Sequence, residues 1–388
     1  MLQRLFIFLL IFLILPDIYL YLRFIVHLTA RRWLKILYWL PTFLLSTGLL
    51  YLVYFSNNAF AERHTQDIGW FSIFFFLFTA PKLLLFLCTV IGIPFHKWLR
   101  WPRTPFICTG LTLAVVSIVM IIYGSFIGRT QFDVKEVTYS SSKLPSSFDG
   151  YRIVQLSDIH IGSWQGNASA IQNLVNLVNE QHPDLIVFTG DLVNHRAIEL
   201  NDFQHILAGL KAKDGVYSIL GNHDYGPYFR WKNKQEQDDT LSALQQRQAA
   251  MGWKLLNNSH TILIQGNDSI ALIGVENEGE PPFSQYADLP KAMQGTEGMF
   301  QILLSHNPTH WRREVLPESD IDLMLAGHTH AMQLKLGNYS PSSYIYPEWS
   351  GMYLEGTRGL YVNVGIGYVG LPFRFGAWPE ITVLTLRR

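Results

Sequence analysis

The chain contains very little cysteine. Of its 388 residues only two are cysteines, Cys88 and Cys108, and both lie inside strongly apolar stretches. Two thiols in such positions exclude the disulfide framework of a small secreted domain, and they exclude a zinc site built from cysteines. A metal site in this chain would therefore have to use oxygen and imidazole ligands.

The chain also lacks net charge. Its 30 basic and 30 acidic residues cancel, so there is no general electrostatic attraction to nucleic acid, and no nucleic-acid partner is expected. Charged residues make up only 15% of the sequence, and they are unevenly spread. Leu, Ile, Phe, Trp and Tyr dominate up to about residue 128, whereas the usual globular mixture of charge, Gly and Pro follows. The composition therefore predicts a boundary near residue 128.

Four apolar runs precede that boundary. A helix needs about 20 apolar residues to cross the hydrocarbon core of a bilayer, and each run is long enough. The runs cover residues 5–26, 33–55, 70–94 and 106–127. A cleaved signal peptide would account for only one of them, so the sequence predicts a multi-pass protein of the inner or plasma membrane.

The loops between these runs predict an orientation. Lys and Arg are retained on the cytoplasmic side of short loops. Six basic residues lie in the first and third loops: Arg31, Arg32, Lys35, Lys97, Arg100 and Arg103. The second loop has only Arg63, against Glu62 and Asp67. We therefore expect the first and third loops in the cytoplasm and the part after residue 129 outside it.

Two charged residues interrupt the apolar runs. Asp17 and Lys82 each follow a proline and lie near the middle of the first and third runs. Charged groups at that depth are costly and usually face a partner or a wet cavity. Two interpretations remain open at this stage. The two residues pair and fix the packing of these helices, or each extends separately toward the membrane surface.

The part after residue 129 alternates between two periodicities. Short apolar runs predict strands that are buried on both faces, at residues 152–156, 185–189, 216–220, 302–305 and 323–326. Helical spacing appears at 168–181 and at about 239–251. Further strands are expected at 132–139, within 261–274 and within 360–386. This alternation predicts a layered α/β fold.

Each of the five buried strands runs into a cluster of polar residues. The clusters are Ser157-Asp158-Ile159-His160, Gly190-Asp191, Gly221-Asn222-His223-Asp224, His306-Asn307 and Gly327-His328-Thr329-His330. In layered α/β folds the carboxyl ends of the strands collect on one side, so these clusters should converge. One His or Asp at a strand end is usually a turn residue, but five such clusters favour a ligand site.

The residue types in these clusters suit metal-assisted chemistry. Carboxylate, imidazole and amide oxygen without thiolate favour Mn, Fe or Zn. The candidate ligands outnumber the needs of one ion. Two cations about 3.5 to 4 Å apart can clamp a phosphoryl group and convert a bound water into hydroxide at neutral pH. The clusters therefore predict two divalent or trivalent metal ions and the hydrolysis of a phosphoester.

In order and spacing, the five clusters resemble the motifs of the calcineurin-like metallophosphoesterase family. The family pattern is Asp-x-His, Gly-Asp, Gly-Asn-His-Asp/Glu, a later His, and Gly-His-x-His. Residues 144–162 and the ending around Pro379-Glu380-Ile381 look most like the bacterial subgroup of membrane-associated members. The resemblance implies a β-sandwich flanked by helices over residues 151–388, preceded by a linker and first strand at 129–150 and a four-helix transmembrane region at 1–128.

The resemblance also implies roles for individual residues. It implies seven metal ligands: Asp158, His160 and His330 for the first ion, Asn222, His306 and His328 for the second, and Asp191 bridging both. His223 would stabilise the phosphate and help to protonate the leaving oxygen, with Asp224 orienting its imidazole. The nucleophile would be a hydroxide that bridges the metals.

Other polar residues near the clusters receive no such role. His182, Asn194, His195 and His310 are expected to support the ligands or to lie at the surface. Many relatives have Gly-Gly-Gln after the last cluster, where this chain has Ala331-Met332-Gln333, and the larger side chains leave the substrate open. The aromatic stretch at 339–353 would form either a rim loop over the site or ordinary packing.

The expected function is hydrolysis of a phosphomonoester or phosphodiester, with a lipid or envelope-linked molecule as one candidate substrate. One alternative is hydrolysis of a lipid-linked pyrophosphate. Another is a non-catalytic membrane scaffold or transport regulator with a phosphoesterase-like domain. A degenerate scaffold should have lost one or more ligands, and this chain has kept them all.

Overall fold

The computed structural model describes residues 2–55, 65–279, 281 and 283–388. The chain divides into two compact units, which are described separately below. The first is Met1–Ile127 with Gly370–Phe373, and the second is Gly128–Val369 with Arg374–Arg388. Glu62 and Arg63, which entered the orientation argument, lie outside the described residues.

The first unit is helical. Helix α1 (Leu2–Leu20) continues through a π-helical turn (Tyr21–Ile25) and a last helical segment (Val26–Leu28). It is followed by α2 (Arg32–Phe55), α3 (Thr65–Leu99) and α4 (Thr104–Phe126). Within the described part of the chain, four helices are long and apolar enough to cross a membrane, which confirms the four predicted spans.

A polar network lies inside this helical unit. Lys82 Nζ on α3 is 2.7 Å from Oδ1 of Asp17 on α1, whose side chain is fully buried. Tyr38 on α2 donates its hydroxyl to the same oxygen at 3.1 Å, and Thr42 donates to the other. The first interpretation is confirmed, because the two charged residues pair. One carboxylate thereby joins three helices.

Removing one member of this pair should destabilise the helical unit strongly. Asp17→Leu leaves the Lys82 ammonium without its counter-charge, and breaking a buried pair in this way costs about 3 kcal/mol. Thermal unfolding of the full-length protein in detergent measures the loss. The double variant Asp17→Leu/Lys82→Leu should recover most of it, because no charge is left uncompensated. A double variant that is as unstable as the single one would contradict this account.

The second unit contains two six-stranded sheets. The first has the order β1-β12-β2-β3-β4-β5 and the second β10-β11-β9-β8-β7-β6. The strands of the first are β1 (Asp133–Ser140), β2 (Arg152–Leu156), β3 (Leu185–Phe188), β4 (Val216–Ser218), β5 (Trp253–Leu255) and β12 (Glu380–Arg387). Those of the second are β6 (Ser259–Gln265), β7 (Asp268–Gly274), β8 (Phe300–Leu304), β9 (Leu323–Ala326), β10 (Gly351–Glu355) and β11 (Arg358–Val362).

Helices cover the outer faces of both sheets. They are α5 (Ala168–Asn179), α6 (Gln204–Leu207), α7 (Lys234–Ala250), α8 (Leu289–Met293) and a π-helical turn (Trp311–Val315) that continues into α9 (Leu316–Glu318). Leu174 of α5 packs in the core on the outer face of the first sheet, and Trp311 packs in that of the second. A third core, including Ile153 and Ile302, lies between the sheets. The predicted β-sandwich flanked by helices is confirmed.

The carboxyl ends of several parallel strands lie along the same edge of each sheet. Strands β2, β3 and β4 are parallel neighbours, and so are β7, β8 and β9. Their carboxyl ends therefore lie along one edge of each sheet, where the chain leaves the strands in turns. The shared core brings the turns of both sheets together.

Candidate metal centre

The five polar clusters converge at this edge, as predicted. The turn after β2 carries Asp158 and His160, and the turn after β3 carries Asp191. The remaining positions follow the next strands: Asn222 and His223 after β4, His306 after β8, and His328 and His330 after β9. Contacts between ring nitrogens and oxygens from different strands, given below, show that these side chains face one another.

The first group of donors consists of Asp158, His160 and His330. The two imidazole Nε2 atoms are 3.1 Å apart, and His330 Nε2 is 3.1 Å from Asp158 Oδ1. All three residues are buried. Their donor atoms lie close enough together to hold one metal ion.

The second group consists of Asn222, His306 and His328, together with Asp191. His306 Nε2 lies 3.2 Å from Asn222 Oδ1 and 3.3 Å from His328 Nδ1. The same nitrogen is 3.2 Å from Asp191 Oδ2. Asp191, His306 and His328 have donor atoms close enough together to hold a metal ion.

Asp191 connects the two groups through one oxygen. Its Oδ2 is 3.2 Å from His306 Nε2 in the second group and 3.6 Å from His160 Nε2 in the first. The other oxygen, Oδ1, accepts a hydrogen bond of 2.8 Å from the backbone N–H of His223. That bond fixes the carboxylate so that Oδ2 faces both groups.

The donor atoms fit bound cations. Lone pairs on nitrogen and oxygen that face each other at about 3 Å repel unless a proton or a cation lies between them. Asp158 Oδ1 is buried, lies 3.1 Å from His330 Nε2 and has no hydrogen-bond partner within the described part of the chain. Imidazole, carboxylate and amide oxygen form the mixed set that Mn, Fe and Zn accept.

The electrostatics of the site agree with this fit. Burial lowers the pKa of His160 well below its usual range, and burial together with His306 lowers that of His328 to about 3. Burial opposes protonation of His306 as well, yet Asp191 and Asp158 raise its pKa to about 9. Neutral imidazoles are the form that binds metals, and the carboxylates favour positive charge where the groups meet.

The backbone at the site is strained. Five of the donor residues have φ values between 46° and 71°: Asp158, His160, Asp191, His328 and His330. This left-handed region is unfavourable for side chains with a Cβ and costs about 1 to 3 kcal/mol for each residue. Such strain persists only where the surrounding structure fixes it, and it is concentrated at functional sites.

His223 lies beside both groups and is oriented by a backbone carbonyl. Its Nδ1 is 2.9 Å from the carbonyl oxygen of Asn194, so Nδ1 carries the proton and Nε2 is left for chemistry. The ring lies edge-on to that of His160, with 4.7 Å between the centroids. It also contacts the ring of Tyr228 at 4.5 Å.

Asp224, which was expected to orient the imidazole of His223, binds the backbone of the turns around that residue. Its carboxylate accepts four backbone N–H groups, those of Asp191, Leu192, Val193 and Gly221, at 2.9 to 3.2 Å. Both oxygens are used by these bonds, which hold the turn after β3. Burial and then the charge of Asp191 raise the pKa of Asp224 to about 7. The hydrogen-bond partner of the imidazole is the Asn194 carbonyl, and Asp224 acts on the backbone around it.

The residues without an assigned role lie as follows. His310 is fully buried, with Nδ1 2.9 Å from Ser305 Oγ and Nε2 2.7 Å from Glu314 Oε2. His195 lies next to His223, with 6.3 Å between ring centroids, and His182 is exposed. Burial, with His223 adding to it, lowers the pKa of His195 to about 4.

Aromatic side chains border the second donor group. Tyr346 Oη is 3.0 Å from His328 Nε2, so part of the aromatic stretch at 339–353 does contact the site. The ring of Phe283 lies 4.7 Å from that of His328, and Asn222 donates its amide to Tyr228 Oη at 3.0 Å. Sequence reasoning missed Phe283 and Tyr228, because both lie in irregular segments that carry no periodic pattern.

Arg374 is a further residue that the sequence did not reveal. Its side chain is fully buried and donates to the carbonyls of Gly367, Val364 and Ala377 at 2.7 to 2.9 Å. Its Nη2 lies 3.0 Å from Nδ1 of His330. Burial lowers the pKa of Arg374 to about 10. The guanidinium therefore contacts the imidazole of His330 at Nδ1, whereas Nε2 of the same ring faces Asp158 and His160. The sequence signal that could have indicated this role was the presence of an arginine in the apolar stretch after residue 364.

Replacing Arg374 should weaken metal binding. The variant Arg374→Lys keeps a positive charge but loses the planar set of donors that holds three backbone carbonyls beside His330. Loss of this support should lower metal affinity by about 10-fold. Metal content after dialysis against graded chelator measures the change, with circular dichroism to check the fold. The exposed Arg387→Lys is the matched control. Equal metal retention by both variants would show that the contact has no such role.

The segment after His330 adopts an unusual backbone. Ala331, Met332 and Gln333 have φ values of 48°, 45° and 60° in succession. Ala331 is buried with Val364 and Ala377, whereas the side chain of Met332 is 41% exposed. Glycine would adopt this conformation without strain, which explains physically why glycines suit these positions in relatives.

Met332→Gly should stabilise the protein. It removes the left-handed strain of an exposed side chain and should raise the free energy of unfolding by about 1 kcal/mol, after allowing for the greater flexibility of unfolded glycine. The thermal transition of the full-length protein should rise by about 2 to 4 °C. Met332→Ala keeps the Cβ and serves as the control. If alanine stabilises as much as glycine, strain is not the cause.

The chain matches two family models. Residues 151–332 match the one described as calcineurin-like phosphoesterase, and residues 3–129 match the one described as the probable transmembrane domain of such proteins. The metallophosphoesterase YkuE of Bacillus subtilis, itself described as uncharacterized, is 31% identical over 281 residues, which cover 68% of this chain and 89% of that protein. The chain belongs to the calcineurin-like metallophosphoesterase family. Its enzyme class is therefore that of phosphoric ester hydrolases.

Two further relatives of this metallophosphoesterase are informative. The transmembrane protein with metallophosphoesterase domain of Danio rerio is 32% identical over 284 residues, which cover 71% of this chain. The chain spans 62% of that longer relative. The UDP-2,3-diacylglucosamine pyrophosphatase LpxG of Chlamydia trachomatis is 25% identical over 333 residues, which cover 72% of this chain and 98% of that protein.

Proposed function

We propose that this metallophosphoesterase hydrolyses a phosphomonoester or phosphodiester with two metal ions held at the edge of the sandwich. The observation that carries the proposal is the position of Asp191 Oδ2, which faces His160 in one donor group and His306 in the other. A single oxygen shared by two groups of donors suits a pair of cations better than one.

Each donor group would hold one ion. Asp158, His160 and His330 would hold the first, Asn222, His306 and His328 the second, and Asp191 both. When bound, the two ions polarise the phosphoryl oxygens and lower the pKa of water to near neutrality. The mixed nitrogen and oxygen donors favour Mn, Fe or Zn.

His223 would handle the proton of the leaving group. The Asn194 carbonyl accepts the Nδ1–H, so Nε2 is the nitrogen that carries and transfers a proton. The Asp224 and Glu199 carboxylates hold the backbone that presents this carbonyl: Asp224 accepts the N–H groups of residues 191–193, and Glu199 those of residues 194–196. The proton donor is thus positioned by the same turn that carries Asp191.

The substrate that we propose is amphiphilic. The chain that carries the site also carries four membrane-spanning helices, and anchoring raises the local concentration of a membrane substrate. Phe283 and Tyr346 present aromatic surface beside His328. A lipid or envelope-linked phosphoester fits this combination. From the basic residues of the first and third loops, we place the catalytic unit outside the cytoplasm.

A lipid-linked pyrophosphate is the second candidate substrate. It is favoured by the similarity to a relative named as a UDP-2,3-diacylglucosamine pyrophosphatase, of which the chain covers 98%. The pyrophosphate bond is a phosphoric anhydride, and the same two ions and His223 would serve its hydrolysis. An extracytoplasmic site would argue against nucleotide-linked substrates, which are generally made inside the cell.

The test uses the full-length protein in detergent, loaded separately with Mn, Fe or Zn. Nitrophenyl phosphomonoesters, bis-nitrophenyl phosphate and a UDP-linked glycolipid distinguish the three bond types. We expect metal-dependent turnover in the parent. His223→Ala should lower kcat by about 100-fold or more while metal content is kept, because general acid catalysis contributes that much. Asp191→Asn should lose both metal and activity.

His205→Ala is the matched control, because His205 is exposed on α6. It should keep full activity and full metal content. A folded parent that binds none of these metals would overturn the two-metal mechanism and favour a non-catalytic scaffold. Undiminished turnover by His223→Ala would remove that residue from the mechanism.

A further inference from the structure

The helical unit contains a cavity of about 240 Å³. It is formed by α1 with its π-helical turn, by α3 and by the start of α4. The lining includes Arg23, Phe24, Thr89, Ile93, Arg103 and Phe106. The cavity is thus largely apolar but contains two guanidinium groups from different helices.

Among the residues that the structure describes, the two arginines have no counter-charge. No acidic side chain lines the cavity, and among the described residues neither Arg23 nor Arg103 has a carboxylate partner. Both side chains are exposed on the helical unit, so a ligand can reach them. Basic residues near the membrane surface attract anionic headgroups by about 1 kcal/mol each, which favours an anion from outside the chain.

Both arginines lie at irregular positions of the helical backbone. Arg23 lies in the π-helical turn Tyr21–Ile25, a type of structure that is rare and frequently marks functional sites. Arg103 is the N-cap residue of α4. These two observations are independent, because they come from different helices and different kinds of local structure.

The apolar walls select the kind of anion. Phe24, Ile93 and Phe106 give surface suited to hydrocarbon, and Thr89 uses its hydroxyl on carbonyls of its own helix. At Gly92 an added Cβ would lie 2.8 Å from Phe106 Cγ, so glycine permits this close packing. A small soluble anion would gain nothing from these walls, whereas a lipid would place its headgroup on the arginines and its chains along the apolar surface.

Size and position agree with a lipid headgroup. The volume is below the roughly 300 Å³ at which pockets for drug-sized ligands begin, so it suits a headgroup whose acyl chains remain outside. The cavity lies at the end of the bundle that carries the first and third loops, where six basic residues are found. Basic pockets between membrane helices at such an end bind anionic headgroups.

We propose that this cavity binds the phosphate-bearing headgroup of an anionic membrane lipid. Arg23 and Arg103 contact the phosphate, and the apolar residues of α1, α3 and α4 contact the adjoining part of the lipid. The site is separate from the candidate metal centre and does not depend on the proposed hydrolysis. Its lipid is a bound component of the helical unit and not a substrate.

The experiment titrates delipidated full-length protein in neutral detergent with three probes: dioleoyl phosphatidylglycerol, dioleoyl phosphatidylcholine and inorganic phosphate. Native mass spectrometry counts bound lipid, and thermal unfolding gives the affinity. Phosphatidylglycerol should bind with one tight site and raise the transition temperature. Phosphatidylcholine should bind more weakly, and inorganic phosphate should neither bind tightly nor displace the lipid.

The arginine variants test the site itself. Arg23→Gln and Arg103→Gln should each weaken phosphatidylglycerol binding about five-fold, and together about 25-fold, from the contribution of an arginine near an anionic headgroup. Arg100→Gln is the matched control, because Arg100 lies in the same third loop and does not line the cavity. It should bind as the parent does.

Two further variants and outcomes keep the test decisive. The double variant Arg23→Lys/Arg103→Lys preserves both charges and should retain most of the phosphatidylglycerol binding. Helicity and gel filtration of every variant show whether the fold is kept, so that a lost site can be told from a lost fold. Unchanged phosphatidylglycerol affinity in the double glutamine variant would overturn the proposal. Tight binding of inorganic phosphate, with displacement of the lipid, would overturn it in favour of a soluble anion.

Discussion

The structure of the catalytic unit depends on the face-to-face packing of two sheets. The core between them, with residues such as Ile153, Leu272 and Ile302, fixes which turns of one sheet meet which turns of the other. Neither sheet alone carries a complete set of donors, since Asp158, Asp191 and Asn222 follow strands of the first and His306, His328 and His330 follow strands of the second. Apolar burial in this core therefore offsets both the repulsion between the facing donors and the left-handed strain of their backbone.

Positioning at the site is achieved largely through backbone amides. Asp224, which is buried, and Glu199, which is partly buried, accept consecutive N–H groups along residues 191–196. This fixed turn carries Asp191 at one end and presents the Asn194 carbonyl to His223. A carboxylate that accepts several N–H groups rigidifies a turn without any periodic structure. His223 would face the substrate, whereas Asp224 and Glu199 hold the turn. Asp224 follows His223 directly in the sequence, yet the two side chains have different tasks.

Sequence patterns predicted the strands, the four spans and the convergence of the donors, because each rests on a periodicity or on the common direction of parallel strands. They did not predict Arg374 or the partners of Asp224. These depend on side chains meeting backbone groups that are distant in the chain, in segments without a repeating pattern. The pairing of Asp17 with Lys82 could be proposed because an unpaired charge in the membrane is costly. Whether the two side chains meet depends on the rotation of the helices against one another, which composition does not determine.

That pairing has a consequence for how the chain enters the bilayer during synthesis. The partners of Asp17 lie on the second and third helices, so the first helix reaches the translocation machinery before Lys82 does. An isolated acidic group at the centre of a helix opposes insertion by about 2.5 to 3.5 kcal/mol. The apolar residues of the first helix must offset this cost until the chain up to Lys82 has been made. The order of synthesis therefore leaves Asp17 without its Lys82 counter-charge until the third helix arrives.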